Sequence, residues 1–136
     1  MKEKFLFHPN AGDIKIQISI GTPGVANTAI YKRGNGDVTE KIGESPLENA
    51  NIKEISIGNP ETFEGKTLAI QTIINFGTID KKLWPQLLKT ISSDYAVKDS
   101  TGNQKNYAHD ADDIIVSNDG KTVFLIKIIF FQKKNI

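Results

Sequence analysis

The densest group of reactive side chains is the run from His109 to Asp113, which holds one imidazole and three carboxylates. Carboxylate oxygens suit hard cations such as calcium. On an extended segment alternate side chains share a face, so we expect Asp110 and Asp112 to converge and Asp113 to point away. The EF-hand spacing is absent, because the twelfth position counted from Asp110 is Lys121 rather than glutamate. We therefore expect an acidic loop, or at most a weak calcium site at Asp110 and Asp112.

Two tyrosines form a second candidate site, this time for an organic ligand. Tyr95 and Tyr107 flank the turn-forming residues 99–103, so a hairpin would bring them onto facing strands. Flat aromatic rings with a polar edge stack well on sugars and peptides. The alternative is an ordinary cross-strand aromatic pair that serves the sheet alone.

Covalent catalysis has little support in the sequence. The chain has no cysteine and no G-x-S-x-G nucleophile elbow. Its glycine-rich turns match neither the P-loop nor the dinucleotide fingerprint, and neither of the two strongest leads into a predicted helix. A Ser-His-Asp arrangement is defined by geometry rather than by chain order, so a small hydrolase without a motif stays open as the third interpretation.

The C-terminal segment 123–131 is the most informative stretch, because Lys127 is its single polar residue. A half-exposed antiparallel strand alternates polar and apolar residues. This one is apolar on both faces, so we expect something to cover each of them. The covering is either the chain's own short helix near Leu87 and Ile91 or a partner chain, with Lys127 guarding against aggregation. We assign the partner interface to Val123, Leu125, Ile129 and Phe131.

The elements that must position these residues are mostly strands. Ile14, Ile16, Ile18 and Ile20 alternate with polar residues, which predicts a strand with one buried face. Turn signals recur along the chain, and we expect hairpins at residues 34–36, 99–103 and 118–120, the last being the strongest. Leucines at helical spacing predict one short helix that begins near Trp84, since a proline follows in its first turn.

Length and composition limit the classes of protein that remain. The chain has 136 residues, a net charge of +1 and a single arginine, Arg33. This length fits one domain over residues 1–136. Balanced charge argues against nucleic acid as a partner. No apolar run is long enough to span a membrane. No signal peptide is seen, so we expect a cytoplasmic protein.

Together these features predict a mainly β fold, an antiparallel β-sandwich of about eight strands with one short helix. The alternative is an α+β fold in which a helix covers a single antiparallel sheet. We expect a non-enzymatic protein-binding or structural module that associates with a protein partner or with itself, without a cofactor. A carbohydrate- or calcium-binding β-sandwich module is the alternative function.

Overall fold

A computed structural model describes residues 2–34, 39–47 and 49–135. Two β-sheets pack face to face, which confirms the predicted β-sandwich. The strands and the helix have the following bounds: β1 Lys2–Phe7, β2 Ile14–Gly21, β3 Val25–Arg33, β4 Thr39–Glu44, β5 Ile52–Gly58, β6 Thr67–Asn75, α1 Trp84–Leu88, β7 Ser92–Lys98, β8 Gln104–Tyr107, β9 Ile114–Val116 and β10 Thr122–Lys133.

The larger sheet contains six strands in the order β1-β10-β6-β3-β4, and β9 pairs with β10 on the same edge as β1. The smaller sheet has the order β5-β2-β7-β8. All pairings are antiparallel except that of β1 with β10, which is parallel. The chain crosses between the sheets several times, so each sheet mixes strands from distant parts of the sequence.

Alternation in sequence becomes alternation in burial. Residues of β2 are buried and exposed in strict turn, and Ile14 to Ile20 supply its buried face. The strands around residues 34–36 pair as predicted, although residues 35–38 of that turn lie outside the described residues. The turn before β10 has Gly120 at φ +79°, the positive angle that its Asp-Gly sequence favours.

The helix is as short as the sequence predicts and begins at Trp84. The Trp84 indole Nε1 donates to the carbonyls of Phe76 and Ile79, each at 3.0 Å. These bonds hold α1 at the connection between β6 and β7, where Leu87 and Leu88 pack against the edge of the core. The small sheet, and not this helix, covers the core-facing side of β10. Within the described ranges, no helix is long and apolar enough to cross a membrane.

Two buried hydroxyls lie inside the larger sheet. Thr28 of β3 and Thr72 of β6 are direct partners in the register and are 2% and 0% exposed. The Thr28 hydroxyl donates to the carbonyl of Ala50 at 2.7 Å, and the two threonine Oγ1 atoms are also 2.7 Å apart. The pair ties the connection before β5 to the middle of the large sheet.

Candidate functional site

Lys127 occupies an unusual position in the core. It is fully buried, and it lies on the same side of β10 as Leu125 and Ile129. The first residue of β9 pairs with Leu125, and the first residue of β1 pairs with Ile128. Lys127 therefore falls at the gap between two strands that share one edge of β10. A buried ammonium group needs close partners to offset its lost hydration.

Three carboxylates supply those partners. The Lys127 Nζ atom is 3.3 Å from Asp113 Oδ2, 3.4 Å from Asp110 Oδ2 and 3.6 Å from Glu3 Oε1. The Asp113 side chain is 3% exposed, whereas those of Asp110 and Glu3 are 41% and 28% exposed. We call these four residues the Lys127 cluster. It joins β10, β1 and the turn before β9 at a single point.

The turn geometry explains why Asp113 faces inward. Residues Ala111–Asp113 form a 3-10 turn rather than an extended segment. The backbone N–H of Asp110 donates to Asp113 Oδ2 at 2.7 Å, which fixes that carboxylate over the turn. The expectation that Asp113 points away is wrong, because it assumed extended backbone. The carboxylate that contacts Lys127 is therefore the one that alternation along an extended strand would point outward.

The charges in the cluster stabilise one another. Burial alone raises the pKa of Asp113, but hydrogen bonds, that from the Asp110 backbone N–H first among them, and the attraction of Lys127 outweigh it and hold that pKa below its usual value. Burial likewise lowers the pKa of Lys127, and hydrogen bonding and attraction from Asp113 and Asp110 reverse this and raise it. Both groups are therefore ionised at neutral pH. Lys127 is a partner in an ion-pair cluster, and the expected role as an exposed guard against aggregation is wrong.

The two predicted metal ligands, Asp110 and Asp112, lie close together, and Asp113 lies beside them. Carboxylate oxygens of Asp110, Asp112 and Asp113 all lie within 4.8 Å of one another. Asp110 and Asp112 were predicted, and Asp113 completes the group. However, the Lys127 ammonium already places a positive charge against two of these three carboxylates. A calcium ion would compete with a covalently attached cation, so binding at Asp110 and Asp112 stays a prediction of weak affinity.

The two candidate tyrosines pair as expected but are closed to a ligand. Tyr95 lies directly opposite Tyr107 in the β7–β8 hairpin. They are 0% and 5% exposed, so neither ring offers a stacking surface, which corrects their assignment as ligand-binding residues. The Tyr107 hydroxyl donates to the carbonyl of Lys4 at 2.7 Å and so ties the small sheet to β1. Their positions on the inner face of the small sheet make them core residues.

The Tyr95 hydroxyl is a buried polar group without a hydrogen-bond partner among the described residues. Burial raises the pKa of Tyr95; the nearby Ser93 hydroxyl opposes this rise, and the negative charge of Asp113 adds to it. The Ser93 oxygen is itself engaged with His109, to which it lies 2.5 Å from Nδ1. Tyr95 therefore brings an unused donor into the neighbourhood of the Lys127 cluster.

The contact between Ser93 and His109 is one that the sequence did not predict. Besides Nδ1, the backbone N–H of His109 donates to Ser93 Oγ at 2.8 Å. Among the described residues no carboxylate hydrogen bonds to this imidazole. The serine oxygen is thus used to hold the β8–β9 connection on β7. This arrangement is a structural tie and gives no support to the hydrolase interpretation.

The predicted interface residues are in the core. Val123, Leu125, Ile129 and Phe131 are all 0% exposed and face the small sheet. The assignment of a partner interface to these four residues is therefore wrong. Both faces of β10 are apolar, so the sequence alone gave no means of choosing which one points inward. A partner chain can reach only the opposite face.

That opposite face carries an apolar surface, interrupted by Gln71 where it lies opposite Ile126. Phe124 lies directly opposite both Ile73 and Ile115, which are 42% and 56% exposed. Further along, Ile128 lies opposite Ala69, which in turn lies opposite Tyr31. A shallow groove of about 320 Å³ runs over this part of the sheet. We call the surface the outer stripe, and it consists of Tyr31, Ala69, Ile73, Ile115, Phe124, Ile126, Ile128 and Phe130.

Comparisons of the chain with protein families, with curated proteins and with solved structures found no match in any of the three.

Proposed function

We propose that the protein is a non-enzymatic structural module that associates with a second copy of itself through the outer stripe. The observation that carries this proposal is the exposure of Ile73 and Ile115 beside the half-buried Phe124. Contiguous apolar patches on a monomer of this kind mark interaction surfaces. The cost of leaving large apolar side chains in water is what drives their association.

The shape of the outer stripe favours a second copy as the occupant. Sheet faces pack on one another with their strands nearly aligned, so a flat apolar stripe is complementary to itself. A two-fold axis then places the same residues on both sides of the interface. The register of β10, β6 and β3 keeps the apolar side chains in rows that a second stripe can meet.

The size of the outer stripe sets the expected strength of association. Four strands about 4.8 Å apart and seven residues of about 3.4 Å each give a projected area of about 450 Å². A standard specific interface buries about 800 Å² per partner. The stripe thus supplies the apolar centre of a small interface, with a polar rim around it. We expect a reversible dimer with a dissociation constant of about 1–100 µM.

Charge substitution on the outer stripe tests the proposal. Ile73→Lys and Ile115→Lys each place an ammonium group in the proposed interface, where burial is costly. Leu47→Lys is the matched control, because Leu47 is 88% exposed and lies outside the stripe. Sedimentation equilibrium over a range of concentrations should show a dimer for the wild type and for Leu47→Lys, and monomers for the two stripe variants. A wild-type protein that stays monomeric at all concentrations overturns the proposal.

A further inference from the structure

Lys127 and Asp113 are the two members of the Lys127 cluster that are almost wholly shielded from water, at 0% and 3% side-chain exposure. Their Nζ and Oδ2 atoms are 3.3 Å apart, so an amine and a carboxyl group are held in contact by the fold. Fixed contact of this kind replaces a collision between separate molecules and greatly raises the effective concentration. We propose that these two side chains condense into an amide bond that links β10 to the turn before β9.

The condensation balances without any other reactant. The Lys127 nitrogen forms a bond to the Asp113 side-chain carbonyl carbon, and one carbon–oxygen bond of that carboxyl group breaks. Two protons leave the ammonium group and join the departing oxygen, so one water molecule is released. One positive and one negative charge disappear together. The product is a neutral amide in a position from which bulk water is excluded, which disfavours the reverse hydrolysis.

Proton transfer needs a third group, and Asp110 is placed to provide it. The nitrogen must lose a proton before it can attack, and the departing oxygen must gain one. Asp110 Oδ2 is 3.4 Å from the same Nζ atom, and its side chain is 41% exposed, so it can exchange protons with water. It can accept the proton from the amine and pass it to the leaving oxygen as a general base and then a general acid.

The Tyr95 hydroxyl supports the same step. As nitrogen adds to the carboxyl carbon, negative charge develops on the remaining oxygen of Asp113. The buried Tyr95 hydroxyl, which has no hydrogen-bond partner among the described residues, is the donor that we expect to turn toward this charge. Burial, with a smaller contribution from the Asp113 charge, raises the pKa of Tyr95 and keeps this hydroxyl protonated.

The resting state of the pair sets the time course. The ammonium and the carboxylate must become a neutral amine and acid before they react, and their close contact at 3.3 Å favours the charged forms. The reaction is therefore slow and follows folding rather than accompanying it. We expect the fraction of condensed protein to rise with time and temperature while the fold is retained, and to stop rising in denaturant.

Intact-mass spectrometry of the folded wild-type protein tests the proposal directly. Incubation should produce a species lighter by one water molecule, and proteolysis should yield a single linked peptide that contains both Lys127 and Asp113. An aspartyl succinimide at Asp119-Gly120 has the same mass, but it produces no linked peptide and survives in Lys127→Arg. Folded wild-type protein that keeps its full mass after prolonged incubation overturns the proposal, as does a water loss that yields no peptide linking Lys127 to Asp113.

Two variants identify the reacting groups. Asp113→Asn offers a carboxamide whose leaving group is ammonia, so its mass should fall by one ammonia instead of one water. Asp110→Asn keeps the size of the proton carrier but removes its basicity, so condensation should slow at least tenfold relative to Glu3→Gln. Loss of water from Asp113→Asn at the wild-type rate excludes Asp113 as the acceptor. Equal rates for Asp110→Asn and the wild type exclude Asp110 as the proton carrier.

Discussion

The buried pair of Thr28 and Thr72 predicts that valine substitutions at the two positions differ in their cost to stability. A hydroxyl has one proton to donate, and Thr28 gives its proton to the carbonyl of Ala50. In the contact between the two Oγ1 atoms the donor must therefore be Thr72. Thr28 is both an acceptor and a donor in this chain of bonds, whereas Thr72 is a donor only. Replacing one or the other with valine has different consequences.

Thr28→Val leaves two buried groups without the partners they use, the carbonyl of Ala50 and the proton of Thr72. Each unsatisfied group costs about 1–3 kcal/mol, so we expect a loss of about 2–6 kcal/mol in the free energy of unfolding. Thr72→Val removes a donor from an oxygen that keeps its own bond to Ala50, so its cost should be below about 1 kcal/mol. Adding Thr72→Val to Thr28→Val removes one orphaned group, and the double variant should be about 1 kcal/mol more stable than Thr28→Val.

Urea unfolding of the three variants measures these differences, provided that the slope against urea is the same as in the wild type. Ser19→Ala is a suitable control, because Ser19 lies on the exposed face of β2 and should change the midpoint little. A Thr72→Val variant that loses more stability than Thr28→Val would reverse the donor assignment. Strictly additive losses in the double variant would refute the shared bond altogether.

Three further predictions concern the turn at Gly120, the Lys127 cluster and the binding of calcium. Gly120→Val should cost about 1–3 kcal/mol because β-branched residues resist positive φ, and an unchanged urea midpoint would contradict this. Lys127→Met should cost about 3–5 kcal/mol at neutral pH. Burial opposes ionisation of Asp113, but hydrogen bonding, from the Asp110 backbone N–H first, and the Lys127 cation lower its pKa. Stability that comes from a lowered carboxyl pKa is lost as pH falls through the folded-state value. The difference in urea-measured stability between Lys127→Met and the wild type should therefore narrow in acid, and a constant difference would refute this. Calcium at millimolar concentration should raise the melting temperature by less than the several degrees that a saturated tight site gives, whereas a larger rise that Asp112→Ala abolishes would show a true site.

The sequence predicted most of the sandwich because strand periodicity and turn chemistry are local. The alternating isoleucines of β2, the Asp-Gly turn before β10 and the short helix at Trp84 all depend on neighbours a few residues away. Strand β1 was missed, although its buried Phe5 and Phe7 alternate with exposed residues. Its six residues read as a charged terminus, and its pairing is with the far end of the chain.

The candidate site depends on features that local sequence patterns do not predict. Burial of Lys127 follows from which face of β10 meets the small sheet, and in sequence the charge of Lys127 argues for the opposite choice. The inward turn of Asp113 follows from one 3-10 turn, whose bond to the Asp110 backbone replaces the extended geometry. Glu3 reaches the cluster only because β1 lies beside β10. The burial of Lys127 and the approach of Glu3 are tertiary relations, whereas the turn at Asp113 is a local one that side-chain alternation does not predict.

The parallel pairing of β1 with β10 has a consequence for synthesis on the ribosome. Of the described strands, β1 is made before all the others and lies against β10, which is made after them, in the register of Lys2 with Ile128 and Phe7 with Lys133. Until β10 has emerged, Phe5 and Phe7 have no sheet to join and remain exposed to water and to other nascent chains. Pairs so distant in sequence form late, because closing so long a loop is entropically costly. Strand β1 therefore stays without its neighbour while every other strand of the sandwich is made, and its two phenylalanines are open to association with other apolar surfaces during that time.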